Sequence, residues 1–226
     1  DLCTGSGIHA LLAARHHPQV VGVDLNPRAL EFARYNAYLN GRSEQAQFFQ
    51  GDLYQPVKGR TFDLITANPP FVPTPDTGLS LHRGVGESGE EVPQKIVEGL
   101  AQHLAPGGTL SMLLDYPIMR DSSYLERLNR WLSGGQQSTP VPGWGVAVVH
   151  FLSESCEDYI RNHVDAGNAF DFYGKAHDYL LSYQRLGIMA MGFANVFVRR
   201  LPETHSGYSV LRTMPLPLGD ISEDIE

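Results

Sequence analysis

Cysteine is scarce. The 226 residues contain two, Cys3 and Cys156, with no spacing of the kind that holds zinc or builds a disulfide framework. That points to no metal site and to a reducing, cytoplasmic setting. Long apolar runs are missing as well. No stretch approaches the roughly 18 apolar residues of a membrane-spanning helix, and no secretory leader precedes the first glycine-rich turn. Positive charge is in deficit: 17 Lys and Arg stand against 25 Asp and Glu, a formal net charge of −8. A basic footprint for nucleic acid is therefore not evident in this chain, although a basic domain outside it would supply one. There is no internal repeat and no low-complexity tract. What remains, 42% hydrophobic and 19% charged residues, is the composition of a globular protein with one sizeable core.

The first residues, Asp1-Leu2-Cys3-Thr4-Gly5, read as the end of a strand entering a loop. The sequence is expected to begin inside a larger protein, with upstream residues such as a substrate-recognition domain lying outside it.

The first half alternates strand and helix. Apolar residues at helical spacing predict a helix over Ile8 to His16. Val20 to Val23, closed by Asp24, is a short apolar run of the buried parallel type. Asn26 as N-cap, Pro27 at the first helical position and Gly41 as stop predict a helix from Pro27 to Asn40. Gln47 to Gln50 and Phe62 to Ala67 are the next strands, ending at Gly51-Asp52 and Asn68-Pro69-Pro70. A long polar loop from about Val72 to Glu91 precedes a helix over Val92 to Leu104 and a strand over Thr109 to Leu114. This rhythm predicts an α/β doubly wound sheet with right-handed crossovers and ligands at the carboxyl ends of its strands. Beyond Tyr116 the pattern is less regular. Helices are expected over Tyr124 to Leu132, Cys156 to His163 and Gly174 to Leu186. Strands are expected over Val146 to Leu152 and Ala194 to Arg199. Leu211 onward reads as a tail or an edge strand.

Gly5-Ser6-Gly7 follows the first strand, where glycines allow a tight turn and close approach of a ligand to the backbone. With Ala10 the segment also fits a dinucleotide-binding pattern, a weak signal alone. The acids around it argue differently. Asp1, at the end of the first strand, can accept from the amino group of a methionine-derived cation and would repel a pyrophosphate. Asp24 can accept both ribose hydroxyls of an adenosine, and Asp52 the adenine amino group. Leu25 and Leu53, each following an acid, can sandwich the adenine. Singly, each Asp reads better as a helix cap or turn former. Their joint occurrence after successive strands favours the ligand.

Asn68-Pro69-Pro70-Phe71 closes the fourth strand. Two prolines fix two φ angles and remove two backbone donors, and Pro69 keeps Asn68 out of the α region. The Asn68 side-chain oxygen and the Pro69 carbonyl can each accept from one –NH2 group, while Phe71 offers an aromatic face to a flat amide or base. Two acceptors hold both hydrogens and turn the delocalised lone pair of a planar nitrogen toward an electrophilic methyl, so proximity and orientation supply much of the rate. No strong general base is required, and none is obvious. The plain alternative is a Pro-Pro that only ends a strand.

The segments Asp-Leu-Cys-Thr-Gly-Ser-Gly-Ile-His-Ala-Leu, Gly-Val-Asp-Leu-Asn-Pro-Arg-Ala-Leu and Phe-Asp-Leu-Ile-Thr-Ala-Asn-Pro-Pro-Phe resemble class I S-adenosylmethionine-dependent methyltransferases of the "small" and HemK-like group. That group includes release-factor glutamine N5-methyltransferases and several RNA guanine and adenine N-methyltransferases. The similarity runs from about Asp1 to Leu114. It implies a Rossmann-like, mostly parallel seven-stranded sheet with a late antiparallel strand. It implies that Asp1, Gly5, Gly7, Asp24 and Asp52 contact S-adenosylmethionine, with Cys3, Thr4, Ser6, His9, Leu25, Asn26, Leu53 and Asn68 beside them. Asn68, Pro69, Pro70 and Phe71 would hold the acceptor nitrogen. Arg83 to Gly89, followed by a helix, looks like the segment after this motif in glutamine methyltransferases. In that group Tyr is usual where Phe71 stands, and the chain here runs on longer after Leu114.

The expectation is one catalytic domain over residues 1–226, lacking its upstream part. It has a cofactor core over 1–116 and late strands and substrate-binding elements over 117–226. The acceptor is a protein glutamine, a nucleic-acid base or a small amine. Rival readings are an NAD-dependent oxidoreductase and a non-catalytic binding module on the same fold. His16 and His17 read as helix-end residues rather than metal ligands. Cys3 reads as a small packing residue, and Tyr173, Tyr179 and Tyr183 as packing residues. His82 and Arg83 fall in a loop of lid length.

Overall fold

A computed structural model describes residues 1–75, 86–164 and 166–214. The elements run α1 (Ile8–Ala13), β1 (Val20–Asp24), α2 (Pro27–Leu39), β2 (Ala46–Gln50), a 3-10 turn (Gln55–Val57), β3 (Phe62–Ala67), α3 (Glu91–Glu98), α4 (Leu100–His103), β4 (Leu104–Met119), α5 (Tyr124–Leu132), β5 (Trp144–Ser155), α6 (Cys156–His163), α7 (Ala169–Leu186), β6 (Ile188–Arg200) and β7 (Tyr208–Thr213).

Leu2 bridges Val23 on one side and Ala67 on the other. That residue joins the pair β1–β2 to the run β3–β4–β6–β5–β7. Strands β1 and β2, β3 and β4, and β5 and β7 pair in parallel. Strand β6 is antiparallel to both its neighbours, β4 and β5. The Rossmann-like, mostly parallel sheet with a late antiparallel strand is therefore the observed architecture, with β7 as the outer edge.

Burial explains the order. Val20 packs with Ala10, Leu30 and Ala33 under α1 and α2. Val21 and Val23 point the other way, into the large core with Ile96, Leu100 and Leu128 of α3 to α5. A strand buried on both faces takes an unbroken apolar run, which is what Val20 to Val23 supplies. Helix α2 starts where Asn26 accepts from the Arg28 N–H with Pro27 at its first turn. Helix α5 starts with a capping box between Ser123 and Glu126.

Several boundaries differ from expectation. Helix α1 ends at Ala13 rather than His16; beyond it the Arg15 and His16 N–H groups donate three residues back, to the Leu12 and Ala13 carbonyls, in tighter turns. The helix expected over Val92 to Leu104 is interrupted at Gly99, against which the Tyr54 ring packs. Strand β4 begins at Leu104 and runs to Met119, past both expected ends. Strands β5 and β6 are longer for the same reason: they pair with each other along nearly their whole length. Helix α7 starts at Ala169, capped by Asn168.

This lengthening has a consequence. Ala67, the last residue of β3, pairs with Met112. From Leu113 to Met119, β4 continues with β6 and β5 beyond that edge, by roughly 20 Å at about 3.3 Å per residue. Helices α6 and α7 pack on one face of the projection. There Tyr159, Ile160, Tyr179, Tyr183, Ile188 and Met191 form a separate core with Val72. The second half thus raises a wall beside the sheet's carboxyl edge.

Candidate active site

After Leu2 the backbone coils tightly, with left-handed φ at Cys3 (54°), Gly5 (54°) and Gly7 (89°). Asp1 closes this turn from beneath. Its carboxylate accepts from the Thr4 hydroxyl and, at 3.2 Å, from the Ala10 N–H in the first turn of α1. It also accepts from the Thr66 hydroxyl of β3 at 3.0 Å. His9 lies 3.5 Å away, and the Asp1 side chain is 3% exposed. Most of its lone pairs are therefore engaged inside the protein. Burial holds the His9 imidazole below its ordinary value.

Asp24 is turned the other way. Its two oxygens accept from the Gly5 N–H at 2.8 Å and the Asn26 N–H at 2.9 Å, which fixes the carboxylate and leaves a lone pair on each oxygen. The Gly51 N–H donates to the Asp24 carbonyl at 3.0 Å, so the tips of β1 and β2 sit side by side. Asp52 is exposed next to them. Cys3 lies between the acids: burial first, then the Asp24 and Asp52 carboxylates, push its thiol up to about 12. The thiol stays protonated, in keeping with a packing role. Leu25 is 49% exposed, whereas Leu53, at φ 45°, is half-buried against the main core. Asn26 caps α2, and Ser6 is exposed, its carbonyl accepting from Asn36 at 2.9 Å. A Cβ placed on Gly5 would meet nothing within 4 Å. Two carboxylates at adjacent tips, one exposed apolar side chain and open space over the loop fit an adenosyl sulfonium, which brings hydroxyls, an amine and positive charge.

Asn68 is exposed, and its side chain makes no hydrogen bond among the described residues. Pro69 and Pro73 are buried. Phe71 is half-buried and packs against both the main core and the separate core of the projection. The motif thereby ties the two together. Glycine is required at Gly89, where a Cβ would stand 2.2 Å from the Phe71 carbonyl oxygen. Asn68 to Val72 form one side of a cleft of about 390 Å³, and Asn162 and His163 of α6 form the other. The same two α6 residues line a smaller cleft of about 200 Å³ with Asp115, Glu154 and Tyr159.

The glycine loop, Asp24, Asp52 and Asn68 thus meet at one edge of one sheet, in the stretch of residues 1–133 that matches the family model described as the methyltransferase small domain. The chain belongs to this family. Within the methyltransferase small domain lie α1 to α5 and β1 to β4; α6 and α7 come after it.

Among curated proteins, the chain is 36% identical over 151 residues to the ribosomal protein uL3 glutamine methyltransferase of Neisseria gonorrhoeae, covering 60% of this chain and 50% of that protein. It is 37% identical to the namesake from Bradyrhizobium diazoefficiens over 49% of this chain and 38% of that protein. Against the release factor glutamine methyltransferase of Geobacter sulfurreducens it is 35% identical, over 50% and 44%. The chain spans about half the length of the curated relatives it matches, or less. Among solved structures, StiE O-MT residues 961–1257 aligns with a TM-score of 0.52 and 15% identity, over 91% of this chain and 68% of that one. A Bacillus halodurans C-125 protein provisionally named a methyltransferase gives 0.52 and 18%, over 89% and 91%. At these identities the likeness concerns the fold.

The rest of the methyltransferase small domain's surroundings come from residues whose role at the site carried no sequence signal. The Tyr183 hydroxyl donates to the Pro73 carbonyl at 2.9 Å, and Tyr179 and Thr74 share a hydrogen bond of 2.7 Å. These two tyrosines of α7 pack as expected and also clamp the segment after the motif. Tyr173 is not part of the core: it is 72% exposed and its ring meets Phe172 edge-on. Asp115, Tyr159, Asn162 and His163 reach the site from positions with no motif around them, and Thr66 from within the motif segment by a role its position did not announce. His82 and Arg83 lie outside the described residues.

Proposed function

We propose that the chain is an S-adenosylmethionine-dependent N-methyltransferase whose acceptor is the side-chain amide of a glutamine in a protein. One observation carries this reading. The exposed, unpaired amide of Asn68 stands on a proline-stiffened segment at the tip of β3, beside a cradle bearing Asp24 and Asp52. When bound, the cofactor supplies a methyl group on a sulfonium. Asp24 takes the ribose hydroxyls through its two remaining lone pairs. Asp52 faces the adenine edge and Leu25 its face. Asp1, with its acceptors largely engaged, sets the shape of the glycine loop and contributes negative charge beneath it. The Asn68 side-chain oxygen and the Pro69 carbonyl accept the two amide hydrogens and aim the nitrogen lone pair, and their hold strengthens as positive charge develops there.

The relatives' names, uL3 and release factor glutamine methyltransferases, support a protein glutamine over a nucleic-acid base, as does the chain's net charge of −8. Among the described residues no helix is long and apolar enough to cross a membrane. Both cysteines are unbridged, which supports a cytoplasmic setting. Residues 1–116 act as the cofactor core, and the later strands and helices act as the acceptor wall of the same catalytic domain. An oxidoreductase would need a pyrophosphate over the glycine loop, where the Asp1 carboxylate beneath it would oppose that charge.

Incubating the protein with cell extract and methyl-labelled cofactor, then mapping the label by mass spectrometry, tests the reading. The expected product is N5-methylglutamine in a protein. Label confined to nucleic acid, or tight binding of NAD without binding of the S-adenosyl cofactor, overturns it.

A further inference from the structure

His163 ends α6 and lines both the cleft beside Asn68 and the smaller one behind it. Its ring is held in two ways. Nδ1 lies 2.8 Å from the Tyr159 carbonyl one turn earlier, and the ring stacks on Tyr159 with centroids 3.9 Å apart and planes 20° from parallel. A carbonyl oxygen only accepts, so Nδ1 carries the hydrogen and Nε2 of the neutral ring carries a lone pair. Nε2 makes no hydrogen bond among the described residues. Tyr159 is itself anchored: it is buried, and its hydroxyl donates to Asp115 Oδ2 at 3.0 Å. The result is an imidazole with fixed orientation and fixed tautomer, whose open acceptor nitrogen belongs to the wall facing the Asn-Pro-Pro-Phe segment.

That segment orients an amide but holds no group to take the proton that N-methylation leaves in excess. Resting on the glutamine-amide reading, we propose that His163 is the proton acceptor of the transfer. The lone pair of the amide nitrogen forms the new N–CH3 bond. The C–S bond breaks and its electron pair stays on sulfur, which loses its charge. The surplus proton on nitrogen passes to Nε2 of His163 and from there to water. The imidazolium so formed is balanced by Asp115 of β4 and Glu154 of β5, which share the rear cleft with it. Tyr159 faces the ring from its own helix. The β6 residues in that cleft, Met191 to Phe193, and the motif segment bring no charge.

The test compares the wild-type chain with H163N and H163A, using extract protein and methyl-labelled cofactor at saturation. Asn retains a short donor for the Tyr159 carbonyl but has no Nε2. H163N should lose about a hundredfold in rate, the scale of general-base catalysis. Its cofactor Kd and Tm should match those of the wild type. Added imidazole should restore part of the H163A rate. Independently of turnover, 15N NMR of the wild-type chain should show the Nδ1–H tautomer at His163. An H163N variant with wild-type rate, or an Nε2–H tautomer, overturns the proposal while leaving the glutamine reading intact. Absence of any methylglutamine from the wild type overturns that reading and this inference together.

Discussion

The tips of β1, β2 and β3 and the projecting ends of β4, β5 and β6 form two walls of one site, and they are held by contacts of very different range. On the first wall Asp24 accepts from Asn26, Asn26 from Arg28 and Asp1 from Thr4, partners two or three residues apart. On the second, Tyr159 reaches Asp115 across 44 residues, Tyr179 reaches Thr74 across 105, and Tyr183 reaches Pro73 across 110. The first wall combines local turn chemistry with the closures of Gly5 on Asp24 and Thr66 on Asp1, whereas the second rests on sheet register and long-range side-chain bonds. In the proposed function the first grips the cofactor and the second faces the acceptor. Substitutions on the two should therefore fail in different ways.

The largest effect is expected where the walls are fastened together. Arg127 of α5 pairs with Glu90 at 2.8 Å, both side chains about a tenth exposed, and also donates to the Pro117 and Ser122 carbonyls. Arg127→Met leaves Glu90 buried and unpaired, which should cost about 3–5 kcal/mol in urea unfolding and destabilise both regions in one transition. Two separate transitions would show that the walls are independent units. Asn68→Ala removes an acceptor needed only as charge develops. It should lower kcat about 10²- to 10³-fold while cofactor affinity measured by calorimetry stays near wild type.

Asp24→Ala should do the reverse. Losing hydrogen bonds to a charged group, about 1.5–3 kcal/mol, should raise the cofactor Kd roughly 10- to 100-fold and leave turnover at saturation largely intact. If turnover fell instead, the division of labour between the walls would be wrong. Tyr183→Phe deletes the anchor on Pro73. It should cost about 1 kcal/mol and lower kcat a few-fold with unchanged cofactor affinity.

The smallest effect concerns pH. Burial pushes the carboxyls of Asp115 and Glu90 above their ordinary values of 3.8 and 4.5, against the pull of Tyr159 and Arg127 respectively. The native state then holds these protons more tightly than the unfolded state. Stability should fall as pH rises from the ordinary values through the raised ones. Asp115→Asn should flatten its share of that slope in a denaturation series.

Most of the first wall was legible because its rules act over a few residues. Asn26-Pro27 announced a helix start, and Val20 to Val23 announced a strand buried on both faces. The acids and the Asn-Pro-Pro-Phe run fell at strand ends, where ligands of such sheets bind. The finer role of Asp1 was not legible, since Thr4, Ala10 and Thr66 converge on it only after folding. The second wall left little trace. Strand β4 looked like a strand over Thr109 to Leu114, because nothing local says that Leu113 to Met119 will find partners in β6. His163 looked like the last residue of a helix, because its cleft is completed by a segment almost a hundred positions earlier in the chain.

By itself, the sequence determined the order of helices and strands, the cofactor-side tips and the family, since periodicity, caps and prolines act through neighbouring residues. The tertiary structure alone decided how far the late strands project, which helix faces Asn68 and which imidazole nitrogen is open. Those depend on pairing register and on packing between distant segments, and a shift of one residue in register would exchange the faces to which Asp115 and Tyr116 point.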